Sequence, residues 1–255
     1  INDKTKAIVP VHLYGQSCDM ESMINLAVKY DLKIIEDNAQ AIGCKYTFTN
    51  GDIKFTGTIG HIGTTSFYPS KNLGCYGDGG AIFTNDDSLA EKIKMIVNHG
   101  EKIKYHHEII GCNSRLDSIQ AEILNIKLRF LDDYNSKRIQ MASAYNDAFN
   151  ELNKIKTPVV IDKSSHVYHQ YTITVLSENQ RDSLKSYLSE NNIPSMIYYP
   201  IPLYRQKAFK NYVKSNFFLK NTEYLAKNVL SLPIHTEIET SNQEMIIEKV
   251  LNFFK

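Results

Sequence analysis

The 255-residue sequence has no tryptophan, only four cysteines and no hydrophobic run near the ~20 residues that span a bilayer. It also lacks an excess of either charge, because 29 Lys and Arg balance 28 Asp and Glu. This balance argues against nucleic acid or a membrane surface as a partner. The cysteines are too irregularly spaced for a disulfide framework or a CxxC metal site, so we expect reduced thiols and a cytoplasmic location. They are Cys18, Cys44, Cys75 and Cys112.

The chain starts at Ile1 rather than at a methionine, and an apolar run begins almost at once, at 7–11. No apolar signal-peptide segment precedes this run. Natural domains usually begin with a loose terminus. We therefore expect an N-terminal portion of the protein to precede Ile1.

Strand-like and helix-like patterns alternate through the first hundred residues. The predicted strands are 7–11, 32–35, 64–68 and 81–84. Helices are predicted at 19–30, with Ser17 or Asp19 as the cap, and from the cap residue Asp86 to about 98. This alternation predicts an α/β domain with a mostly parallel sheet.

The second half of the chain has a different pattern. Residues 114–152 contain almost no Gly or Pro and predict one long helix or two abutting ones. Further on, 171–175 predicts an antiparallel strand with one wet face, 195–199 a further strand, and 180–191 and 242–254 helices. We therefore predict a large α/β domain at 1–152 and a smaller C-terminal α+β domain at 153–255.

Two polar segments stand at the ends of predicted strands: 36–40 follows the strand at 32–35, and 66–74 runs off the strand at 64–68. In open α/β sheets, ligands bind outside the carboxyl ends of the strands. Lys71 is either a surface lysine in a turn or an amine that forms an imine with a carbonyl cofactor. Asp37 is either a loop acid or the partner of a protonated ring nitrogen. Ser66 either bonds to backbone or donates to a phosphate, and the pattern alone leaves these alternatives open.

Other catalytic motifs are missing. The glycines at 74–80 are not followed by Lys-Ser or Lys-Thr, so they do not form a P-loop, and no G-x-G-x-x-G follows a first strand. There is no HExxH or GxSxG motif, and the eight histidines are scattered, so we expect no metal site.

Several segments in order resemble the nucleotide-sugar aminotransferases, a DegT-like family of fold-type I enzymes in the aspartate aminotransferase superfamily. They are 10–16, 37–43, 66–74, 77–81, 111–121, 199–202 and 232–234. The resemblance implies a pyridoxal-phosphate transferase fold, pyridoxal 5'-phosphate as cofactor, and a homodimer with shared active sites. It also implies roughly a hundred further residues before Ile1, which carry a Gly-Ser or Gly-Thr phosphate loop and an aromatic ring stacked on the cofactor.

The resemblance also implies a role for individual residues. Lys71 would form the Schiff base and move the proton, and Asp37 would pair with the pyridine nitrogen. Gln40 would lie against the ring or its 3-hydroxyl, and Ser66 would hold the phosphate. Asn113 would reach the phosphate of the cofactor bound to the neighbouring subunit.

Three further residues are candidates for the substrate side. Arg115 would lie at the same edge as Asn113, with a salt bridge at a helix start as the plain alternative. Tyr198 and Tyr199 would border the sugar pocket, although tyrosines beside proline-rich turns often only pack. Lysine at position 71, where related sugar dehydratases carry histidine, favours transamination.

The implied reaction is transamination of a nucleotide-linked ketosugar by an amino acid, with glutamate as the expected donor. The segments 104–108, 113–117 and 197–202 resemble enzymes that aminate C3 of a dTDP-linked 3-keto-6-deoxyhexose. Amination of a 4-ketosugar is an alternative, and so is a non-catalytic regulatory, binding or dimerisation module of the same fold. Amino sugars of this type usually end in surface polysaccharides or glycosylated natural products.

Overall fold

A computed structural model describes residues 1–177, 179–213 and 217–255. These residues form two compact units. The first unit contains Ile1–Ser136 and Val160–His169, and the second contains Lys137–Val159 and Gln170–Lys255. The predicted domain boundary at 152/153 falls within the segment Lys137–Val159 of the second unit.

The strands of the described residues are β1 (Ala7–Ile8), β2 (Lys33–Asp37), β3 (Lys45–Thr47), β4 (Ile53–Phe55), β5 (Ile62–Ser66), β6 (Gly80–Phe83), β7 (Glu101–Ile103), β8 (His106–His107), β9 (Ile155–Lys156), β10 (Tyr171–Val175) and β11 (Val229–Leu232). The α-helices are α1 (Met20–Tyr30), α2 (Asp87–Val97), α3 (Ser118–Leu128), α4 (Leu131–Phe149), α5 (Gln180–Glu190), α6 (Lys220–Asn228) and α7 (Thr240–Phe253).

The first unit is built on a four-stranded sheet in the order β1-β2-β5-β6. The pairs β1-β2 and β2-β5 are parallel and β5-β6 is antiparallel, which confirms the mostly parallel sheet. The first strand is shorter than predicted because Pro10, which has no N–H, interrupts it. Val11 then pairs with Asp37 as an isolated parallel bridge.

The first two helices begin at carboxylate caps, as predicted. The side chain of Asp19 accepts a hydrogen bond from the Ser22 N–H at 3.3 Å at the start of α1. Asp86 accepts from the N–H groups of Ser88 and Leu89 at the start of α2. Such bonds satisfy backbone donors that have no partner within the helix.

Two buried clusters support the sheet of the first unit. The cluster between α1 and the sheet includes Met20, Leu32, Ile34 and Tyr46. The other cluster holds the segment that follows β5 and consists of Phe67, Leu73, Cys75, Leu124 and Leu131. Because interiors of this kind are close-packed, the second cluster restricts the movement of the backbone around Lys71.

The predicted helical region at 114–152 contains two helices. Arg129 and Phe130 separate α3 from α4. The second of the two predicted possibilities is therefore confirmed, although helical structure begins only at Ser118.

The second unit contains the antiparallel sheet β11-β10-β9. The prediction of an antiparallel strand at 171–175 is confirmed, but the predicted wet face is wrong. Tyr171 and Ile173 are fully buried on one face, and on the other the Thr172 hydroxyl pairs with that of Ser231 at 2.8 Å. Thr172 thus satisfies its polar group inside the protein rather than in water.

The predicted strand at 195–199 is also wrong. Only Met196 pairs there, through two backbone hydrogen bonds with Ser231. Pro194, Pro200 and Pro202 surround this residue. Since proline cannot donate to a ladder, the pairing does not extend.

Candidate active site

The carboxyl ends of β2 and β5 bring three of the predicted site residues to one edge of the sheet. Asp37 is the last residue of β2 and pairs with Thr64 of the parallel strand β5. Ser66 ends β5, and the segment with Lys71 follows it directly. The backbone of Asp37 is held by an N–H bond to the Pro10 carbonyl at 2.9 Å, and its own carbonyl accepts from the His12 N–H at 3.0 Å.

A buried histidine–carboxylate pair lies next to Asp37 in the sequence. His12 Nε2 is 2.9 Å from Glu36 Oε2, and both side chains are fully buried. His12 Nδ1 accepts from the Cys18 N–H, so in the neutral ring Nε2 carries the proton and donates to Glu36. Alternation along β2 places Glu36 on the opposite face from Asp37. The pair therefore anchors the strand end without entering the candidate site.

Glu36 also accepts hydrogen bonds from the backbone of the segment before β5. The donors are the N–H groups of Gly57, Ile59 and Gly60, at 2.8, 2.7 and 2.6 Å. Burial alone would raise the pKa of Glu36, but the bonds from His12, Gly60 and Gly57 outweigh it and lower the pKa. Glu36 is thus an ionised buried carboxylate that ties β2 to the approach to β5. The predictions from sequence did not assign it a role.

Lys71 lies in a tight turn between β5 and β6. Its N–H donates to the Tyr68 carbonyl at 2.9 Å, and the Cys75 N–H closes the base of the loop on the Phe67 carbonyl at 2.8 Å. A Cβ at Gly74 would lie 2.5 Å from the Pro69 carbonyl oxygen, so only glycine fits there. The turn is therefore a rigid support for the lysine.

The Lys71 side chain is half-buried, and its amine lies within electrostatic range of Asp37. Burial lowers the pKa of Lys71, and the negative charge of Asp37 partly offsets this effect by raising the pKa. A lowered pKa leaves a larger neutral fraction of the amine at neutral pH than an exposed lysine has. Only the neutral amine can act as a nucleophile or as a base.

Gln40 and Ser66 both contact backbone at this edge. Gln40 Oε1 accepts from the Tyr14 N–H at 2.7 Å, and Ser66 Oγ accepts from the Tyr68 N–H at 3.2 Å. The backbone contact of Ser66 matches its plain alternative. Because Oγ is the acceptor in this bond, the hydroxyl hydrogen is still available as a donor to an anion.

Asn113 and Arg115 lie along β6 rather than beside Lys71. They line a groove of about 640 Å³ together with Thr64, Gly80 and Ile82. The Arg115 guanidinium donates to the Asn98 side chain at 2.8 Å and makes no salt bridge among the described residues.

Tyr198 and Tyr199 belong to the second unit. Their ring centroids are 5.6 Å apart, the planes are inclined by 68°, and Tyr199 is 55% exposed. Their predicted role at a sugar pocket stays a prediction.

The groups at the sheet edge match the chemistry of pyridoxal 5'-phosphate. An amine of lowered pKa suits its aldehyde, a carboxylate suits its ring nitrogen, and an amide and a hydroxyl suit its ring oxygen and phosphate. In the described part of the chain no three His, Cys, Asp or Glu side chains are grouped to hold a metal ion. None of its helices could cross a membrane, and all four cysteines are free.

Comparison with known proteins identifies the family of the chain. The profile of the DegT/DnrJ/EryC1/StrS aminotransferase family matches residues 1–251. The chain belongs to this family. Members of the DegT family are pyridoxal-phosphate-dependent sugar aminotransferases, which confirms the resemblance and the predicted fold type.

Individual relatives are similar over nearly the whole chain. A "pleiotropic regulatory protein" of Geobacillus stearothermophilus is 45% identical over 100% of this chain and 67% of its own length. A "dTDP-3-amino-3,6-dideoxy-alpha-D-galactopyranose transaminase" of Aneurinibacillus thermoaerophilus is 44% identical over 98% of this chain and 66% of its own. The chain therefore spans about two thirds of the length of these DegT relatives.

A solved structure supports the same fold. The crystal structure of DesV of S. venezuelae "in complex with ketimine intermediate" superposes with a TM-score of 0.92 at 37% identity. It is matched over 100% of this chain and 67% of that chain.

Proposed function

We propose that the protein containing this chain is a pyridoxal-phosphate-dependent aminotransferase that moves an amino group from an amino acid, glutamate, to a nucleotide-linked ketosugar. The observation that carries the proposal is the half-buried Lys71 amine within electrostatic range of Asp37, at the carboxyl edge of a mostly parallel sheet. Family membership and the DegT relatives support it.

Each residue at the sheet edge has a chemical task in this proposal. The cofactor supplies an electron sink that allows a proton to leave the carbon beside the transferred nitrogen. Lys71 would hold the cofactor through its side-chain nitrogen. Once the incoming amine of the amino acid has displaced it, the neutral Lys71 amine would take and return that proton, a contribution of roughly 10²–10⁴-fold. The Asp37 carboxylate accepts the N–H of the pyridine ring. Gln40 orients the ring, and the Ser66 hydroxyl donates to the phosphate.

The proposed substrate is a dTDP-linked 3-keto-6-deoxyhexose, aminated at C3. The support is the similarity to the Aneurinibacillus enzyme, which is named for a 3-amino sugar, and the motifs at 104–108, 113–117 and 197–202. Arg115, Tyr198 and Tyr199 are the proposed substrate contacts. Asn113 would complete the phosphate site of a neighbouring subunit in a homodimer.

The Geobacillus relative is described as regulatory, which makes a non-catalytic member of the family the alternative to consider. A sensor would not need an amine and a carboxylate that suit the two ends of one cofactor ring. The presence of both Lys71 and Asp37 is the reason we favour catalysis.

The test uses the full-length protein with pyridoxal 5'-phosphate, glutamate and either the 3-keto or the 4-keto dTDP-sugar. We expect faster turnover of the 3-ketosugar, and faster turnover of the 4-ketosugar would contradict the proposed position. Lys71→Ala should lose the visible absorbance of the lysine-bound cofactor, whereas Lys92→Ala, at an exposed lysine of α2, should keep it. A band that persists in Lys71→Ala without added amine would overturn the assignment.

A further inference from the structure

Asn72 follows Lys71 directly and is almost completely buried, with 6% of its surface exposed. Its side-chain amide nitrogen donates to Asn135 Oδ1 at 2.7 Å and to the Val167 carbonyl at 3.0 Å. Its oxygen lies 3.3 Å from His169 Nδ1. All these partners lie in the first unit. One side chain thus connects the Lys71 turn to α4 and to the segment 166–169.

The amide of Asn72 uses both of its donors and its acceptor in these contacts. An asparagine side chain has two N–H donors and one carbonyl oxygen. The two donors bond to Asn135 and Val167, and the oxygen faces His169. Because the oxygen faces His169 Nδ1, that nitrogen must carry the proton. A network in which every group is satisfied holds one orientation, since any rotation leaves buried polar atoms without partners.

The backbone of Lys71 is therefore held from both sides. The N–H of Lys71 itself bonds to the Tyr68 carbonyl. The side chain of the next residue, Asn72, is held by three partners. The four rotatable bonds of the lysine side chain start from this backbone. If this backbone moves, the positions that the Lys71 amine can reach relative to Asp37 change as well.

The alternative explanation is that Asn72 only stabilises the fold. Other buried groups of the first unit serve that purpose, for example Thr56, whose hydroxyl donates to the Ala41 carbonyl at 3.0 Å and contacts the Cys44 carbonyl at 3.3 Å. Asn72 differs from Thr56 because it adjoins the lysine in the chain.

We propose that Asn72 is a positioning residue that fixes the Lys71 amine relative to Asp37 through its hydrogen bonds to Asn135, Val167 and His169. This inference rests on the proposed function, because it concerns how well the lysine is placed for that chemistry. We expect Asn72 itself to touch neither cofactor nor substrate.

The test compares Asn72→Asp with Thr56→Val in the full-length protein loaded with pyridoxal 5'-phosphate. Aspartate keeps the size of the side chain but presents oxygen to the Asn135 and Val167 oxygens. We expect Asn72→Asp to shift the pH midpoint of the visible absorbance and to weaken cofactor retention. Turnover should fall by about 10- to 100-fold with little change in KM for the ketosugar. Thr56→Val should lower the Tm while leaving the pH midpoint unchanged.

The outcomes separate this inference from the proposed function. If Asn72→Asp keeps the wild-type pH midpoint and turnover while Lys71→Ala loses the band, the positioning role is wrong and the proposed function stands. If Lys71→Ala keeps the band, the proposed function itself fails. Should Asn72→Asp not fold, Asn72→Ser, which removes the three-point anchor without adding a charge, is measured in the same way and must show the same shift.

Discussion

Gly74→Ala should move the turn that carries Lys71. A Cβ at this position would lie 2.5 Å from the Pro69 carbonyl oxygen and 2.7 Å from that of Tyr68. Ordinary contacts begin at 3.4 Å, so the backbone at Pro69 would have to retreat by the difference between 3.4 and 2.5, or 0.9 Å. Both obstructing atoms belong to the backbone and cannot rotate away. The strain is therefore transmitted to the turn itself.

A displacement of about 1 Å at a reacting group can lower a rate by about 100-fold, and overpacking of this kind typically costs about 1–3 kcal/mol of stability. We expect losses of this size in turnover and in the free energy of unfolding for Gly74→Ala. Gly77→Ala is the matched control in the same loop, because its Cβ would meet only the amide end of Gln120 at 3.2 Å. Equal turnover in both variants, with Gly74→Ala properly folded, would refute the argument that the turn is a rigid support.

Two further predictions concern buried titratable groups. Burial lowers the pKa of His166 to about 4 from 6.5, so below pH 6.5 the unfolded chain takes up a proton that the folded chain does not. Stability should therefore fall by about 2 kcal/mol between pH 7 and pH 5, and His166→Gln should remove this part of the decline in urea unfolding. If His166→Gln leaves the pH dependence of the free energy of unfolding unchanged, this explanation is wrong. Glu36→Gln leaves His12 and backbone N–H donors facing an amide and should cost on the order of 3 kcal/mol at pH 7. Glu21→Gln, at a partly exposed carboxylate paired with Lys163, should lower the free energy of unfolding far less. Comparable losses in the two variants would contradict the special role of Glu36.

Local signals in the sequence were sufficient for much of the first unit. Asp19 and Asp86 mark helix starts because a carboxylate before an apolar repeat satisfies free N–H groups, and the structure shows these bonds. The end of β2 at Asp37 was visible because an apolar run stops at two acids. Those signals depend only on neighbouring residues, so no knowledge of the tertiary fold was needed.

Errors arose where a distant partner decides the structure. The sequence pattern predicts that Thr172 faces solvent, but its hydroxyl pairs with that of Ser231, 59 residues further on. Ser231 lies in β11, a strand that was not predicted. The hairpin of β3 and β4 was also missed, although Asn50-Gly51 between these strands is a recognised turn signal. Met196 and Ser231 are likewise far apart in the sequence, and a bridge of one residue on each side is too short to leave a sequence pattern.

The same distinction applies to the candidate site. Lys71, Asp37 and Ser66 stand out because they lie at the ends of predicted strands, but their roles, and that of Gln40, are predicted from the resemblance to the aminotransferase family. The structure places these strand ends at one edge of the sheet. The buried groups that hold the backbone of the site were not predicted, because their partners are distant in the sequence. His12 and Glu36 are 24 residues apart, and the partners of Asn72 are 63 or more residues away. One local signal could have indicated a separate role for Glu36. Glu36 and Asp37 are adjacent at the end of a predicted strand, so their side chains must lie on opposite faces of the sheet.

A crystal structure of the full-length protein with pyridoxal 5'-phosphate would show whether Lys71 and Asp37 bind opposite ends of one cofactor ring. We expect continuous electron density between Lys71 Nζ and the cofactor, with an Asp37 carboxylate oxygen about 2.8 Å from the ring nitrogen. A cofactor bound without a link to Lys71, or with its ring nitrogen turned away from Asp37, would contradict it.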